Sequence, residues 1–157
     1  QEIAFLTGSM DSPTSVERLA GYKDALAQHS IALNEKLIAN GKWTPASGAE
    51  GVETLLERGA KFSALVASND DMAIGAMKAL HERGVAVPEQ VSVIGFDDIA
   101  IAPYIVPALS SVKIPVTEMI QEIIGRLIFM LDGGDFSPPK TFSGKLIRRD
   151  SLIALSR

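Results

Sequence analysis

Short apolar runs alternate along this chain with longer segments whose apolar residues recur at helical spacing. The runs cover residues 3–6, 37–39, 64–67 and 91–96, and helical spacing follows each of the first three. Alternation of strands and helices in this order is typical of a parallel sheet with crossover helices. The pattern therefore predicts an α/β fold, in which a parallel sheet is flanked by helices.

Capping residues indicate where two of these helices begin. Ser12 precedes Pro13, so serine is the predicted N-cap and proline the first helical residue. Ser47 and Glu50 have the spacing of a capping box, which predicts a second helix that begins there. The buried stripe of the first helix is predicted to consist of Val16, Leu19, Tyr22 and Leu26.

The last third of the chain has a different pattern. Pro103, Pro107 and Pro115 prevent a helix from running through the region after Asp98. A strand is predicted at 110–114, a helix at 116–131, and one or two short strands near the end. Apolar side chains cover about half the circumference of that helix, so it requires a large partner surface.

Composition narrows the function classes. The 157 residues are 46% hydrophobic, which is enough for one domain with a sizeable core. A net charge of −4 without a basic cluster argues against a nucleic-acid surface on this segment. The absence of cysteine excludes disulfides, thiol catalysis and thiolate metal sites. The chain shows neither a membrane-length apolar run nor a signal-peptide pattern, and it is expected to be part of a longer protein.

Three polar clusters follow predicted strands, at residues 9–12, at 68–71 and at Asp97 with Asp98. The carboxyl ends of parallel strands meet at one edge of a sheet, where open α/β folds bind ligands. These clusters therefore predict a site for a small polar ligand, although helix caps and solvated turns would also explain them. Trp43, the single tryptophan, lies in a polar loop and either stacks on a sugar or base or packs locally.

Catalytic signatures are weak. His29 and His81 lie near helix ends without the spacing of a triad, and the common hydrolase, phosphate-loop and dinucleotide motifs are missing. Asp97 and Asp98 would suit a magnesium-dependent enzyme. Because neighbouring strand residues point to opposite faces, however, a shared catalytic role for both is disfavoured. The residues favour a binding protein over an enzyme.

Four motifs in register carry a resemblance to a known family. They are R-L-A-G-Y at 18–22, S-N-D-D-M-A-I-G-A-M at 68–77, V-P with V-S-V-I-G-F-D-D at 87–98, and L-S-S-V at 109–112. Together they resemble the effector-binding core of the lactose and galactose repressor family over nearly the whole chain. The resemblance implies a periplasmic-binding-protein-like fold of two α/β lobes, with a sugar or similar effector in the cleft between them.

The resemblance also implies roles for individual residues. Arg18, Asn69 and Asp97 would hold effector hydroxyls while Trp43 stacks on the effector, and neither a metal nor a cofactor is implied. Further effector-binding candidates are Asp11, Ser12 and Thr14. A homodimer interface is expected at Ile74, Met77, Tyr104 and Ile105.

The family architecture implies a division of the chain. Residues 1–108 are expected in the carboxyl-terminal lobe, 109–134 as a crossover strand and helix belonging to the other lobe, and 135–157 as a return to the first. The helix-turn-helix domain that binds operator DNA, and most of the other lobe, would lie outside this chain. The implied protein is a cytoplasmic repressor in which the sugar changes lobe closure and operator affinity. A periplasmic sugar-binding transport protein is the alternative.

Overall fold

The computed structural model describes residues 2–135, 138 and 140–154. Six strands form one sheet in the order β2-β1-β3-β4-β5-β6. The first five strands run parallel, and the last is antiparallel to its neighbour. The strands are β1 (Ile3–Thr7), β2 (Ile38–Asn40), β3 (Ala64–Ala67), β4 (Ser92–Asp97), β5 (Ser110–Lys113) and β6 (Lys145–Ile147).

Four α-helices accompany the sheet. They are α1 (Pro13–Gln28), α2 (Pro45–Glu57), α3 (Asp70–Glu82) and α4 (Val116–Leu131). The predicted α/β architecture is confirmed, and α4 has the predicted bounds. The described helices include none that is both long and apolar enough to cross a membrane.

The two faces of the sheet support two separate cores. On one face, Leu6 of β1, Leu65 of β3 and Val93 of β4 pack with α2 and α3 in the main core. On the other face, Phe5 of β1 stacks on Tyr22 of α1, with the ring centroids 4.8 Å apart. This separation follows from strand geometry, because successive side chains point to opposite faces.

Glycines bring α2 and α3 into close contact. A Cβ built on Gly48 would overlap the backbone of Met72, and a Cβ built on Gly75 would overlap the carbonyl of Pro45. The amino-terminal ends of the two helices are therefore held side by side at the carboxyl edge of the sheet. This approach fixes the loops that precede both helices.

Two local expectations were wrong. The second helix begins after Thr44, not at Ser47, because Pro45 takes the first helical position and Ser47 completes a capping box with Thr44. In α1 the buried stripe includes Ser15, whereas Val16 is 51% exposed. At 100° per residue Val16 lies about 120° around the helix from Tyr22, but Ser15 lies only about 20° away.

The strand and the helix of the segment 109–134 have different surroundings. The strand, β5, pairs with β4 through Ile94–Ser110 to Asp97–Lys113 and so belongs to the one sheet described above. The helix, α4, contains no buried residue and exposes apolar side chains such as Ile120, Ile124 and Leu127. In the following segment, 136, 137, 139 and 155–157 lie outside the described residues.

Candidate functional site

The candidate site lies at the carboxyl edge of the parallel strands. The loops after β1, β2, β3 and β4 all open at this edge, since the four strands run in the same direction. Arg18, Trp43, Asn69 and Asp97, which were singled out from the sequence, are linked there by a continuous set of contacts.

Arg18 is the centre of this set. Its guanidinium carbon lies 3.9 Å from the centroid of the Phe96 ring and 5.6 Å from that of Trp43. Its Nη1 donates a hydrogen bond to the carbonyl of Ser68, and its Nη2 lies 3.5 Å from Oδ1 of Asp97. The planar cation is thus held over one aromatic ring, with part of its edge turned to a carboxylate.

Trp43 and Asn69 form the neighbouring wall. Trp43 has a φ of 65°, and its indole packs so closely on Gly8 that a Cβ there would overlap the ring. Asn69 donates from Nδ2 to the carbonyl of Trp43 at 3.0 Å. Its Oδ1 accepts from the backbone N–H of Met72 at 3.0 Å, so Asn69 is also the N-cap of α3.

Asp97 and Asp98 have different surroundings although they are adjacent. Asp97 turns toward Arg18, and its side chain is 38% exposed. Asp98 turns away, where its Oδ1 accepts from Nη2 of Arg149 at 2.6 Å and its Oδ2 lies 3.8 Å from Nζ of Lys113. Each of the two carboxylates therefore has its own cationic partner.

The electrostatics of Asp97 reflect opposing influences. Partial burial raises the pKa of its carboxyl above the ordinary value, and the Arg18 guanidinium opposes that rise. The negative charge of Asp71 adds to the rise. Polar groups of a ligand that donate to Asp97 would replace lost hydration, so the carboxylate is suited to accept from hydroxyls.

Asp70, which belongs to the polar cluster at residues 68–71, is the first residue of α3 and fully buried. Its Oδ1 accepts from Oγ of Ser111 at 2.6 Å, and its Oδ2 accepts from the backbone N–H of Ile99 at 2.8 Å. Burial raises the pKa of Asp70, and these two hydrogen bonds counteract the rise.

Asp11, Ser12 and Thr14 lie where the loop after β1 enters α1, at the same edge of the sheet, and Thr14 is the second residue of that helix. Oδ2 of Asp11 accepts from Oγ of Ser9 at 3.4 Å, within the loop. Ser12 precedes α1 as its N-cap residue without a side-chain capping bond. Among the described residues, no hydrogen bond or ion pair joins these three side chains to Arg18, Trp43, Asn69 or Asp97.

Periodicity alone missed two members of the site. Arg18 lies about 40° around α1 from Tyr22, so it falls on the buried stripe, and a charged residue on such a stripe is a signal of function. Phe96 lies two residues after Ile94 on the same face of β4, where it supports Arg18. The sequence contains no signal for the buried role of Asp70, because its partners are 29 and 41 residues away.

The residues expected at a dimer interface lie around a second surface. Ile74, Met77 and Ile105 line a groove of about 420 Å³ between α3 and the loop after β4. Tyr104 is 77% exposed beside it, whereas Met77 also packs into the main core of this chain.

The fold and the edge site together are typical of the α/β proteins that bind a small ligand at the carboxyl edge of a parallel sheet. A family model described as periplasmic binding protein-like domain matches residues 1–152. The chain belongs to this family, and the relatives it matches are transcriptional regulators of the LacI type.

Three comparisons illustrate the relationship. The HTH-type transcriptional regulator AscG of Escherichia coli (strain K12) is 97% identical over all 157 residues, which are 47% of that protein. A crystal structure of a LacI-family sugar-binding transcriptional regulator from Escherichia coli, complexed with phosphate, has a TM-score of 0.93 at 97% identity. The alignment covers 98% of this chain and 55% of that one.

A complex of the transcriptional regulator CelR with cellobiose has a TM-score of 0.89 at 32% identity and covers 96% of this chain and 46% of that chain. This chain therefore spans about half the length of the curated relatives that it matches. These proteins are regulators, so the comparisons favour neither the enzyme nor the transport alternative.

Proposed function

We propose that this chain is the effector-sensing part of a transcriptional repressor and that it binds a sugar or β-glucoside at the carboxyl edge of its sheet. The observation that carries the proposal is the convergence of Arg18, Trp43, Asn69 and Asp97 at that edge. In this proposal DNA is bound by a domain outside the chain, and the effector changes the affinity of that domain for its operator.

The chemistry of the site suits vicinal hydroxyl groups. The guanidinium of Arg18 supplies fixed donors, the carboxylate of Asp97 supplies acceptors, and the amide of Asn69 supplies both. The indole of Trp43 offers an apolar face for a pyranose ring. Asp11 and Ser12 would contact the effector from the loop after β1, and Thr14 would do so from the first turn of α1.

The site contains an ion pair between Arg18 and Asp97, and a ligand that binds between them has to replace this contact. Arg18 and Asp97 are 3.5 Å apart, a loose distance for a hydrogen bond, so a hydroxyl group can bridge them without breaking a strong contact. A ligand that bridges this pair would gain two charge-assisted hydrogen bonds, which are stronger than neutral ones.

Thermal unfolding of the intact polypeptide that contains this chain tests the proposal. Cellobiose, salicin, glucose and galactose would each be added in excess, with mannitol as a non-cyclic control. A ligand present at about 100 times its Kd should stabilise the folded state by about 2.7 kcal/mol. If no sugar or β-glucoside raised the melting temperature, the proposal would be wrong.

We also place a homodimer contact at Ile74, Met77, Tyr104 and Ile105. Exposed Tyr104 beside an apolar groove suits a two-fold contact, in which the same patch is used by both copies. Sedimentation of the intact polypeptide should show a dimer, and Tyr104→Glu should give a monomer with an unchanged circular dichroism spectrum. A Tyr104→Glu protein that still dimerised would contradict this contact.

A further inference from the structure

The buried carboxylate of Asp70 connects three parts of the chain at the candidate site. It starts α3, yet both of its oxygens accept hydrogen bonds from outside that helix. One bond comes from the hydroxyl of Ser111 on β5 and the other from the backbone N–H of Ile99 after β4. Because both oxygens of this buried carboxylate accept from other segments, Asp70 links α3 to β5 and to the residues after β4.

The segment that Asp70 holds has an unfavourable backbone conformation. Asp97 and Asp98 have φ values of 108° and 55°, which non-glycine residues rarely adopt. Such a conformation is strained and persists only where the surroundings enforce it. Two hydrogen bonds hold the turn in this conformation. The N–H of Asp98 donates to Oγ of Ser111 at 3.0 Å, and the N–H of Ile99 donates to Oδ2 of Asp70.

The turn at Asp97 and Asp98 directs their two carboxylates to different partners. Asp97 faces Arg18, and Asp98 faces Arg149. We call the two hydrogen bonds of Asp70, to Ser111 and to Ile99, the clamp. Gly95 of β4 leaves room for it, because a Cβ on Gly95 would overlap Oδ1 of Asp70.

We propose that Asp70 is a positioning residue of the effector site, which holds the turn so that Asp97 presents its carboxylate beside Arg18. The proposal rests on the proposed effector function of Asp97. Asp70 acts through hydrogen bonds to Ser111 and Ile99, and it touches no effector itself.

The hydrogen-bond inventory explains why a carboxylate is needed. Ser111 donates its hydroxyl hydrogen and Ile99 its amide hydrogen, so the partner must accept twice. An ionised carboxylate has two acceptor oxygens, whereas asparagine replaces one of them with a donor. In Asp70→Asn the amide group would face the donor of either Ser111 or Ile99, and one side of the clamp would open.

A double-mutant cycle in affinity tests the proposal in the intact polypeptide. Calorimetric titration with cellobiose and salicin would compare the wild type, Asp70→Asn, Asp97→Asn and the double variant. Asp70→Asn should weaken binding by about 10-fold, as loss of a buried hydrogen bond does. The double variant should bind within about 2-fold of Asp97→Asn alone, because residues that act through one another are not additive.

Fully additive losses would overturn the positioning role, since a merely structural change lowers affinity independently of Asp97. Glu82→Gln is the control, because it removes a carboxylate charge from the opposite end of the same helix, where the partner is the exposed Lys78. Its replacement should change affinity by less than about 2-fold. If Asp70→Asn failed to fold, Ser111→Ala would open the same clamp and enter the same cycle.

A crystal structure of Asp70→Asn, or of Ser111→Ala, tests without any sugar whether Asp70 positions Asp97. In either variant Asp97 is expected to lose its contact with Arg18. An unchanged contact between Asp97 and Arg18 would overturn the positioning role. A wild type that binds none of the sugars would instead overturn the effector function and leave the structural readout in force.

Discussion

Asp97 is the last residue of β4 and Asp98 follows it, but the two side chains belong to two regions of the molecule. Asp97 lies in the open edge region with Arg18, Trp43 and Asn69, where its carboxylate is more than a third exposed. Asp98 lies in the closed region behind the turn, where its side chain is 11% exposed and pairs with Arg149. Two identical side chains therefore have different partners, solvation and consequences when they are replaced.

The comparison shows that one turn can join a closed region to an open one. In the closed region Asp70, Asp98, Ser111 and Arg149 direct their hydrogen-bonding groups to the protein itself. In the open region the carboxylate of Asp97 stays partly exposed to solvent. Rigidity in the first region is what gives the second a defined geometry, as preorganised sites require.

Gly95→Ala should have the largest effect of the single changes considered for this turn. The new methyl group would overlap Oδ1 of Asp70, so the protein must displace either β4 or the clamp. We expect a loss of about 3 kcal/mol in the free energy of unfolding, measured by urea denaturation.

The control for this change is Gly21→Ala in α1. A Cβ there has no neighbouring atom within 4 Å, so the substitution should stabilise the helix by about 0.5–1 kcal/mol. Equal effects of the two glycine substitutions would show that the closed region is not tightly packed.

Asp98→Ala should cost about 2–3 kcal/mol of unfolding free energy, because it leaves the guanidinium of Arg149 largely buried without its partner. Affinity for an effector should fall only as far as the folded fraction falls. Urea denaturation and calorimetric titration at 15 °C check the two halves of this prediction. A large loss of affinity in a fully folded Asp98→Ala protein would place Asp98 in the site instead.

Asp97→Asn should have the opposite effects, a loss of effector affinity with little change in the free energy of unfolding. Asparagine tolerates positive φ, and burial of the Asp97 carboxylate already raises its pKa, so the neutral side chain should change stability by less than about 0.5 kcal/mol. Affinity for the effector should fall about 10-fold or more, because a charge-assisted acceptor is lost. Unchanged affinity would remove Asp97 from the site.

The smallest expected effect is on the pH dependence of stability. The pKa of Asp70 is raised in the folded state, so between its ordinary value of 3.8 and the raised value the folded protein binds more protons than the unfolded chain. Stability should therefore decrease as pH rises through this interval. Asp97, with its raised pKa, should add to the decrease in the same direction.

Urea denaturation at a series of pH values checks this sign. In Asp70→Asn the decrease through the interval should be smaller than in the wild type, although the variant is less stable throughout. An identical slope in the two proteins would mean that Asp70 does not titrate as its burial indicates.

Much of the fold could be predicted from the sequence, because local signals specify it. Strand alternation and helical periodicity located α4 correctly, and Gly59 and Gly84 have the positive φ expected of helix stops. The cap of α2 was misplaced since Thr44 and Ser47 are both capping residues and only the position of Pro45 separates them.

The candidate site was only partly predictable for a different reason. Asp97 ends β4 and Asn69 lies two residues after β3, so their place at the edge follows from the parallel sheet. The clamp of Asp70 depends on the neighbouring positions of β4 and β5, a tertiary fact that joins residues 41 positions apart. Long-range pairing of this kind leaves no periodic trace in the sequence.

The most direct test of the central claim is a crystal structure of the intact polypeptide with the sugar or β-glucoside that stabilises it most. Effector hydroxyls are expected within hydrogen-bonding distance of Arg18, Asn69 and Asp97, with the sugar ring on Trp43 and with Asp98 still paired to Arg149. A sugar bound elsewhere, or contacts to Asp98 in place of Asp97, would contradict this claim.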